Sequence, residues 1–452
     1  MQIGIIGTGY VGLTTSLAFA YIGHQVYAID KDPRKVEMLQ RGEPPIHEEG
    51  LRELLHLTRS QLVPTVDYAG LADCKVIFIA VGTPTTPSGE ADTTYLEQAV
   101  IELAGVLKPD EVYHLVVKST VPIGTNRKVQ TLLRNELKKL GKNTEVSIGS
   151  NPEFLREGFA LYDTFYPDRV VVGAHNREFF NVMRELYDPI LEQTFEAPEF
   201  LPRPSSYHLP PLITTEPTSA EMIKYAANAF LALKISYINE VAGLCERVGA
   251  DVMEVSRGIG LDERIGSRFL QAGIGWGGSC FPKDTRALNA IASEYSYDLD
   301  IVTAAMRVNE RQIQHILEKI QGEYKVIRGL QIAILGAAFK PNTDDTRDSP
   351  GIKLAQELCR KGAYVRMHDP IARVDFSRLE DCENVQQCDG LAETIDGSDV
   401  VVIATEWRDY INQDWNHLLK SSTILIDGRN CLAKYPFESH IKYHGIGRGN
   451  RR

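Results

Sequence analysis

The feature that most constrains the fold of this chain is a strand–helix–strand pattern that occurs twice, once towards each end. In the first copy Asp30 follows Gly12 by 18 residues, and in the second Asp369 follows Gly351 by the same 18. Between these positions each copy has an amphipathic helix, a glycine turn and another apolar strand. Because a strand–helix–strand unit makes its two strands parallel, the match predicts an internal duplication of an α/β half.

Short apolar runs alternating with helical stretches extend the pattern. They predict strands at 2–6, 25–29, 76–81, 113–118, 146–148 and 330–335. A chain of 452 residues exceeds one ordinary core. The predicted fold class is therefore α/β, with two Rossmann-like doubly wound domains joined by a central long helix and a helical region. We place the domains at 1–215, 216–324 and 325–452.

The first boundary is a proline-rich segment, since six of the 22 prolines lie between positions 198 and 217. This composition disfavours a helix and suits a semi-rigid connector. Thr218 and Glu221 then form a capping-box pattern, and 218–248 contains no proline and one glycine, Gly243. A continuous helix there would be about 45 Å long.

Charge and composition exclude several classes of protein. The net charge of −11 would repel a nucleic-acid backbone, and the one dense basic run is 448–452. The apolar runs are shorter than the ~18–20 residues of a membrane span, and the N-terminus resembles a buried strand rather than a signal peptide. Seven cysteines with no CxxC pair indicate neither a disulfide framework nor a zinc site. We therefore expect a cytoplasmic protein without nucleic-acid, membrane or metal partners.

The segment Gly7-Thr8-Gly9-Tyr10-Val11-Gly12 lies between a predicted strand and a predicted helix. Glycines there allow a tight turn and the close approach of a pyrophosphate to the helix N-terminus. Asp30 ends the next strand, where a carboxylate binds a ribose 2′-hydroxyl and repels a 2′-phosphate. The pattern favours NAD; Lys31, Arg34 and Lys35 nearby keep NADP open.

The second copy rebuilds this loop. Between Gly336 and Gly351 it has ten more residues than the first copy has between Gly7 and Gly12. We therefore expect the second half to bind a different ligand.

Cys280 is the candidate nucleophile. It follows the glycines of Gly275-Trp-Gly-Gly-Ser and precedes Pro282, which suits the first turn of a helix. A helix N-terminus and Lys283 would both favour the thiolate. A small buried cysteine is the commoner alternative, and we expect it for the other six.

Polar residues elsewhere have weaker patterns. Lys224 and Asn228 are four apart on the long helix and could hold an oxyanion, or could form a solvated stripe. Glu153 and Glu157 follow a strand end, where one could act as a base, although surface acids fit the spacing as well. Thr83 and Thr120 also follow strand ends, which should face one crevice.

These segments together resemble the UDP-glucose/GDP-mannose dehydrogenase family. The resemblance covers nearly the whole chain in order: GTGYVG, VGTPT, KSTVP, NPEFLREG, TSAEMIKYAANAFLALK, RIGSRFLQAGIGWGGSCFPKD, AFKPNTDDTRDSP and DGRN. It implies that 1–215 binds NAD, that 216–324 is a helical dimerisation region carrying the catalytic cysteine loop, and that 325–452 binds UDP. It also implies a homodimer or higher homo-oligomer.

The implied reaction is a four-electron oxidation of UDP-glucose at C6 by two NAD and water, giving UDP-glucuronate. The resemblance assigns Cys280 as the nucleophile of a thiohemiacetal and then a thioester. It makes Lys224 and Asn228 the oxyanion pair. It places Asp284, Thr120 and Glu157 around a water and Glu153 at the substrate as a possible base.

The resemblance also assigns binding residues. Implied cofactor contacts are Gly7, Gly9, Tyr10, Val11, Gly12, Asp30, Lys35, Thr83, Thr120, Glu157, Lys283 and Arg347. Implied substrate contacts are Glu153, Phe154, Leu155, Lys224, Asn228, Arg264, Phe269, Gly277, Lys340 and Arg429. Arg264 is expected to reach a neighbouring subunit's site.

Three alternatives stay open at this point. A related enzyme could oxidise GDP-mannose or a UDP-N-acetylhexosamine. A β-hydroxyacid dehydrogenase-like reductase would share the Lys-x-x-x-Asn pattern but needs no thiol. A non-enzymatic nucleotide sensor would not need Cys280, Lys224 and Asp284 together.

Overall fold

The computed structural model describes residues 1–378 and 382–449. The end of the basic run, 450–452, lies outside the described residues. The chain divides into two compact units, of which the first is Met1–Ala226 and the second begins at Ala227. This division is coarser than the three predicted domains, whose boundaries stay predictions.

The first unit is built on one sheet of eight strands. In chain order β1 to β8 are Gln2–Ile6, Gln25–Ile29, Leu62–Thr65, Val76–Ile79, Val112–Val117, Glu145–Ser150, Val170–Gly173 and Leu212–Thr215. Their order in the sheet is β3-β2-β1-β4-β5-β6-β7-β8. Neighbours are parallel except β6 and β7. Residues of β4 alternate between two cores: Phe78 packs on one face of the sheet, and Ile77 and Ile79 on the other.

Helices cover both faces of this sheet, as expected of a doubly wound domain. From α1 to α7 they are Tyr10–Tyr21, Pro33–Arg41, Leu51–Leu57, Thr94–Val106, Thr125–Lys139, Ala160–Phe165 and Arg177–Leu191. The long helix α8, Pro217–Val248, follows and confirms the prediction for 218–248.

The capping-box interpretation is wrong, because α8 already includes Pro217 and Thr218. The Glu221 carboxylate instead accepts from the backbone amides of Gly124 (2.6 Å) and Asn126 (2.9 Å), at the start of α5. A buried helix N-terminus needs such acceptors, so Glu221 serves a neighbouring helix rather than its own.

The proline-rich segment packs onto the first unit. The Tyr207 hydroxyl donates to the Pro167 carbonyl (2.8 Å), and the Tyr166 hydroxyl donates to the Leu201 carbonyl (2.7 Å). The segment then adds β8 to the edge of the sheet before α8 begins. It therefore extends this sheet rather than forming a free connector.

The second unit repeats the first sheet's topology. Strands β9 to β14 are Gln331–Leu335, Tyr364–His368, Val385–Gln387, Val400–Ile403, Ile424–Asp427 and Lys442–Gly445. The order β11-β10-β9-β12-β13-β14 matches that of β1 to β6, and every neighbouring pair is parallel. The prediction of two Rossmann-like domains is confirmed.

The remaining described helices belong to this unit. From α9 to α15 they are Val252–Gly260, Phe281–Glu294, Asp300–Glu323, Pro350–Arg360, Leu391–Ile395, Arg408–Ile411 and Trp415–Leu418. A core centred on β9 and β12 continues onto Ile238 and Ala242 of α8 and onto Ile316 of α11. The second sheet, the C-terminal half of α8 and α11 therefore share one core.

Candidate active-site residues

The predicted cofactor loop joins β1 to α1. Gly9 is the N-cap of α1 and provides no side-chain cap, so a backbone glycine and the helix N-terminus face the loop. Asp30 follows β2 and turns towards this loop. Its carboxylate accepts from the Thr8 amide (2.9 Å), the Thr8 hydroxyl (2.6 Å) and the Asp32 amide (3.0 Å). Glycines, a helix N-terminus and a carboxylate fit a dinucleotide.

The pKa of Asp30 is lowered from its ordinary value. Burial alone would raise it, but the hydrogen bonds from Thr8 and Asp32 and the charge of Lys35 outweigh burial. Two other nearby cations have partners: Arg34 pairs with Asp32 at 3.3 Å, and the Lys31 ammonium lies 3.6 Å from the centroid of the Tyr95 ring. An ionised Asp30 repels a 2′-phosphate, which favours NAD.

The predicted meeting of the strand ends is found for two loops. The Thr83 hydroxyl, after β4, donates to the Thr120 carbonyl, after β5, at 2.6 Å. The neighbouring parallel strands β4 and β5 bring these loops together.

Glu153 and Lys224 form a buried ion pair. The Lys224 ammonium lies 2.7 Å from a Glu153 oxygen, and the two side chains are 4% and 8% exposed. The other Glu153 oxygen accepts from the Leu155 amide at 2.6 Å. Burial raises the pKa of Glu153, but the Lys224 charge and hydrogen bond, the Leu155 amide and the Lys118 charge lower it further than burial raises it. The solvated-stripe interpretation of Lys224 and the surface interpretation of Glu153 are therefore wrong.

The aromatic ring of Phe154 lies between two cations. The Arg169 guanidinium is 3.8 Å and the Lys224 ammonium 5.6 Å from its centroid. Cation–π contacts of this kind fix the ring beside the ion pair.

A second buried lysine, Lys118, was not predicted as a candidate site residue from the sequence. The Lys118 ammonium donates to the Asn151 side-chain oxygen (3.0 Å) and lies 3.4 Å from the Tyr187 hydroxyl. Burial lowers the pKa of Lys118 to about 8, with Glu153 raising it and Lys224 lowering it further. A lysine directly after the apolar strand β5 was the available signal.

Another missed residue, Glu48, holds the loop that carries Glu157. Its carboxylate accepts from the amides of Gly158 (2.8 Å) and Ala160 (2.6 Å), at the start of α6. Glu48 is buried, whereas its neighbour Glu49 is exposed. The partners are 110 residues or more away in sequence, so no local pattern could indicate them.

Cys280 is the N-cap residue of α10, and Pro282 lies in the first turn of that helix. Its thiol is partly exposed, and the Ser279 hydroxyl lies 3.5 Å from the sulfur. The position at a helix N-terminus was predicted, and its dipole favours a thiolate.

Asp284, one turn into α10, is 1% exposed. It accepts from the Asn228 amide group at 2.6 Å and pairs with the Lys283 ammonium. Asn228 is 8% exposed, so it does not belong to a solvated stripe. Lys224 and Asn228, one turn apart on α8, therefore each bind a different carboxylate.

The other cysteines fit the buried alternative. Five are buried, and Cys431 is partly so. Burial raises the pKa of the Cys74 thiol to about 12, and burial together with Asp427 raises that of Cys431. Neither environment promotes a thiolate.

The rebuilt loop of the second half packs on the cysteine loop. The Gly278 amide donates to the Arg347 carbonyl (2.9 Å), and a Cβ added at Gly277 would lie 2.3 Å from the Asp348 carbonyl oxygen. Only glycine allows this approach. Arg347 itself is bound by Asp345 at 2.7 Å.

The predicted substrate arginine, Arg429, reaches the same loops. Its guanidinium donates to the carbonyls of Gly275 (3.1 Å), Phe339 (3.2 Å) and Ala404 (2.8 Å). Two more predicted contacts adjoin these loops. The Lys340 ammonium lies 5.4 Å from the centroid of the Phe339 ring, and the rings of Phe269 and Phe281 are 6.2 Å apart.

Arg264 stands apart from this cluster. Its side chain is 88% exposed and pairs with Asp262 at 2.6 Å. Its role at a neighbouring subunit's site stays a prediction.

Within 1–378 and 382–449, no group of three His, Cys, Asp or Glu side chains could hold a metal ion. Among the same residues, no helix is long and apolar enough to cross a membrane.

Three domain descriptions of one family match the chain. They are the UDP-glucose/GDP-mannose dehydrogenase family NAD binding domain at 1–191, its central domain at 218–311 and its UDP binding domain at 333–434. The NAD binding domain covers the loop and Asp30 described above, so the cofactor is NAD.

Curated relatives and solved structures agree with these matches. UDP-glucose 6-dehydrogenase YwqF of Bacillus subtilis is 41% identical, covering 99% of this chain and 98% of the relative. UDP-glucose 6-dehydrogenase of Pseudomonas aeruginosa is 39% identical, with the same coverage. A UDP-glucose dehydrogenase structure from Pyrobaculum islandicum has a TM-score of 0.87 and 35% identity, covering 99% of this chain and 98% of the other. The resemblance seen in the sequence is confirmed: the chain belongs to the UDP-glucose/GDP-mannose dehydrogenase family.

Proposed function

We propose that this chain oxidises UDP-glucose at C6 to UDP-glucuronate with two NAD and one water, in the cytoplasm. The observation that carries the proposal is the Cys280 thiol at the N-terminus of α10, with Asp284 and its partner Asn228 one turn away. A two-electron dehydrogenase needs no such thiol.

A four-electron oxidation requires a trap for the aldehyde. After the first hydride has left C6, the Cys280 thiolate adds to the aldehyde carbon and forms a thiohemiacetal. Loss of the second hydride gives a thioester, and water cleaves it to release the carboxylate and the thiolate. NAD, when bound, accepts each hydride.

The candidate site residues of each unit suit these steps. The N-terminus of α10 stabilises the thiolate. The amide of Asn228 and the ammonium of Lys224 are donors for an oxyanion at C6. Asp284, held by Asn228 and Lys283, and the ionised Glu153 are carboxylates that can accept a proton from the hydrolytic water.

The substrate assignment follows the curated relatives rather than the fold. A UDP-D-ManNAc dehydrogenase structure from Pyrococcus horikoshii has a TM-score of 0.84 but 28% identity, covering 99% of this chain and 100% of the other. Relatives near 40% identity over their full lengths are named UDP-glucose 6-dehydrogenases. This favours UDP-glucose over an N-acetylhexosamine or GDP-mannose.

The test is a screen of nucleotide sugars for NADH formation by absorbance. We expect UDP-glucose to react best and to give two NADH per sugar. A yield of one NADH would contradict the four-electron oxidation. A higher kcat/KM for UDP-N-acetylmannosamine or GDP-mannose would contradict the substrate alone.

We also propose a homodimer formed through α8. Phe230, Tyr237 and Leu244 are spaced by seven, so they lie on one helix face, and they are 61%, 54% and 59% exposed. Such a stripe is suited to a second copy of the same helix. Tyr237→Asp should convert the dimer to monomer in sedimentation. The exposed Tyr364→Asp, in the second sheet, is the control. A variant Tyr237→Asp protein that stays dimeric would place the interface elsewhere.

A further inference from the structure

Trp276 lies in the glycine-rich loop before Cys280 and is 7% exposed. Its backbone pairs with one side chain of α11. The Trp276 amide donates to the Asn309 side-chain oxygen at 2.8 Å, and the Asn309 amide group donates to the Trp276 carbonyl at 2.9 Å. Two hydrogen bonds to one planar amide fix both the position and the orientation of this part of the loop.

The indole of Trp276 has a second anchor. Its N–H donates to the Ser236 hydroxyl of α8 at 2.9 Å, and that hydroxyl donates to the Ala305 carbonyl of α11 at 2.7 Å. Ser236 is 2% exposed, so removing its hydroxyl would leave a buried indole N–H without an acceptor. Trp276 is therefore bound to both α8 and α11.

Gly275, the residue before Trp276, is matched to this arrangement. Its φ of 110° favours glycine, and a Cβ added there would lie 2.8 Å from the Asn309 side-chain oxygen. A side chain at this position would push Asn309 away from the Trp276 backbone. The loop sequence thus makes room for the Asn309 contact.

The indole also contacts the residue on the other side of the cysteine. The ring centroids of Trp276 and Phe281 are 6.3 Å apart and the rings are nearly perpendicular, at 87°, which is a favourable edge-to-face arrangement. Phe281 directly follows Cys280 and begins α10. One aromatic contact therefore closes the loop from 276 to 281, with the thiol between its two ends.

We propose that Trp276, fixed by Asn309 and Ser236, is a positioning residue that holds the Cys280 sulfur at the N-terminus of α10. Trp276 acts through the loop and through Phe281 and needs no contact with substrate. If the indole moved, the sulfur would leave the position in which the helix N-terminus favours a thiolate. The proposal rests on the proposed function, in which Cys280 is the nucleophile, and adds the residues that place it.

The experiment compares the wild type with Ser236→Ala, Trp276→Phe and the double variant. Trp276→Phe keeps a ring beside Phe281 but has no N–H, so both single variants remove the same hydrogen bond. Their effects should therefore not add in the double variant. The matched control is Thr303→Val, which removes a different hydrogen bond between α10 and α11, from the Asn289 amide group to the Thr303 hydroxyl at 3.2 Å.

The first measurement needs neither substrate nor cofactor. The rate at which iodoacetamide alkylates Cys280, followed by mass spectrometry from pH 5 to 10, has its midpoint at the pH where half of the thiol is ionised. We expect a midpoint of about 7 in the wild type, and a rise of about 0.5–1 pH unit in each single variant towards the ~8.5 of an unperturbed thiol.

The second measurement is turnover with UDP-glucose and NAD. In each single variant kcat should fall about tenfold, because a displaced sulfur attacks the aldehyde less often. The KM values should stay within about twofold, because the groups that bind the two ligands are unchanged. A bond that only stabilises the fold would lower the melting temperature and change neither kcat nor the alkylation midpoint.

Each outcome decides the proposal. A wild-type midpoint near that of an unperturbed thiol, or an unchanged midpoint and kcat in both folded single variants, would overturn it. An equal change in Thr303→Val, or shifts that add in the double variant, would overturn it as well. If Trp276→Phe does not fold, Ser236→Ala decides alone. A wild type that forms no NADH would reject the proposed function, whereas the alkylation midpoints would still decide whether Trp276 positions the sulfur.

Discussion

The two Rossmann-like halves have the same strand–helix–strand backbone, but the equivalent aspartates, Asp30 and Asp369, have different hydrogen-bond donors. In each half a glycine of the first helix approaches the glycine that ends the first strand. A Cβ on Gly12 would lie 1.8 Å from the Gly7 carbonyl oxygen, and a Cβ on Gly351 would lie 2.3 Å from that of Gly336. Both halves therefore have the same close contact between strand and helix, which packing requires.

The aspartates at the end of the second strand differ in their donors. Asp30 is partly exposed and has three donors, all from Thr8 and Asp32. Asp369 is 1% exposed. Its carboxylate accepts from five groups: the amides of Ala337, Ala338, Ile371 and Ala372, and the indole of Trp407. The first carboxylate can still accept from a ribose, whereas the second is fully used in closing its own loop.

An equivalent position in the two halves is therefore not an equivalent site. In the second half the rebuilt loop replaces the cofactor turn. The Arg347 carbonyl of this loop accepts a hydrogen bond from the Gly278 amide of the cysteine loop. The first half thus retains the loop and carboxylate of a cofactor site, while the second half supports the proposed nucleophile.

Removing the proposed nucleophile, Cys280, should have the greatest effect. Cys280→Ala should reduce formation of UDP-glucuronate by at least about 10³-fold, because no thiol traps the aldehyde. UDP-glucose and NAD should bind in calorimetry as in the wild type. Cys431→Ala, which changes the other partly buried thiol, should remain active. Normal formation of UDP-glucuronate by the Cys280→Ala variant would contradict the proposal that the second half supports the nucleophile.

Asp369→Asn should have the next largest effect, on stability. The NH2 group of the new Asn side chain would face N–H donors that now bind a carboxylate oxygen, so these donors would lose their acceptor. We therefore expect a loss of about 3 kcal/mol in the free energy of unfolding. Urea denaturation followed by tryptophan fluorescence measures it, since Trp407 is one of the donors. A loss no larger than that of Asp30→Asn would show that the two carboxylates are equivalent after all.

Asp30→Asn should act mainly on the cofactor. Its three donors leave acceptor capacity for a ribose, and losing the charge should weaken NAD binding about tenfold. It should also reduce the preference for NAD over NADP, because the repulsion of a 2′-phosphate is lost. Binding titrations of both cofactors measure this. The matched control is Asp32→Asn, which changes the neighbouring exposed carboxylate paired with Arg34. An equal loss of NAD affinity in that variant would contradict a direct contact between Asp30 and NAD.

How far the sequence predicted the structure depends on where a residue's partners lie. β1 and β2 lie at the predicted positions, and α8 begins one residue early, because apolar spacing and glycine turns are local signals. The two edge strands, β3 and β8, and the internal strand β7 were missed. β8 is short and exposed and follows the proline-rich segment, so alternation is weak there.

The grouping of the candidate site residues was predictable where they lie on a motif, and their roles stay predictions. Cys280, Asp284 and Asn228 come together in the second unit, and Glu153 pairs with Lys224 in the first. The donors of Asp369 and Glu48 come from distant parts of the chain, so only the fold reveals them. Lys118 lies in the KSTVP segment, but its buried contact is with Tyr187, which belongs to another element.

The smallest expected effect is the pH dependence of Asp30. Its folded pKa lies below its ordinary value of 3.8, so its stabilising contribution is present above that pH and is lost as the pH falls through the lower folded value. The difference in unfolding free energy between the wild type and Asp30→Asn should therefore stay constant from pH 8 to about 5, and shrink by less than about 1 kcal/mol on further acidification. Thermal denaturation at a series of pH values measures it. A difference that instead grows as the pH falls from 7 to 5 would mean that the folded pKa of Asp30 is raised, because a carboxylate with a raised pKa takes up its proton first in the folded state and stabilises the fold on acidification.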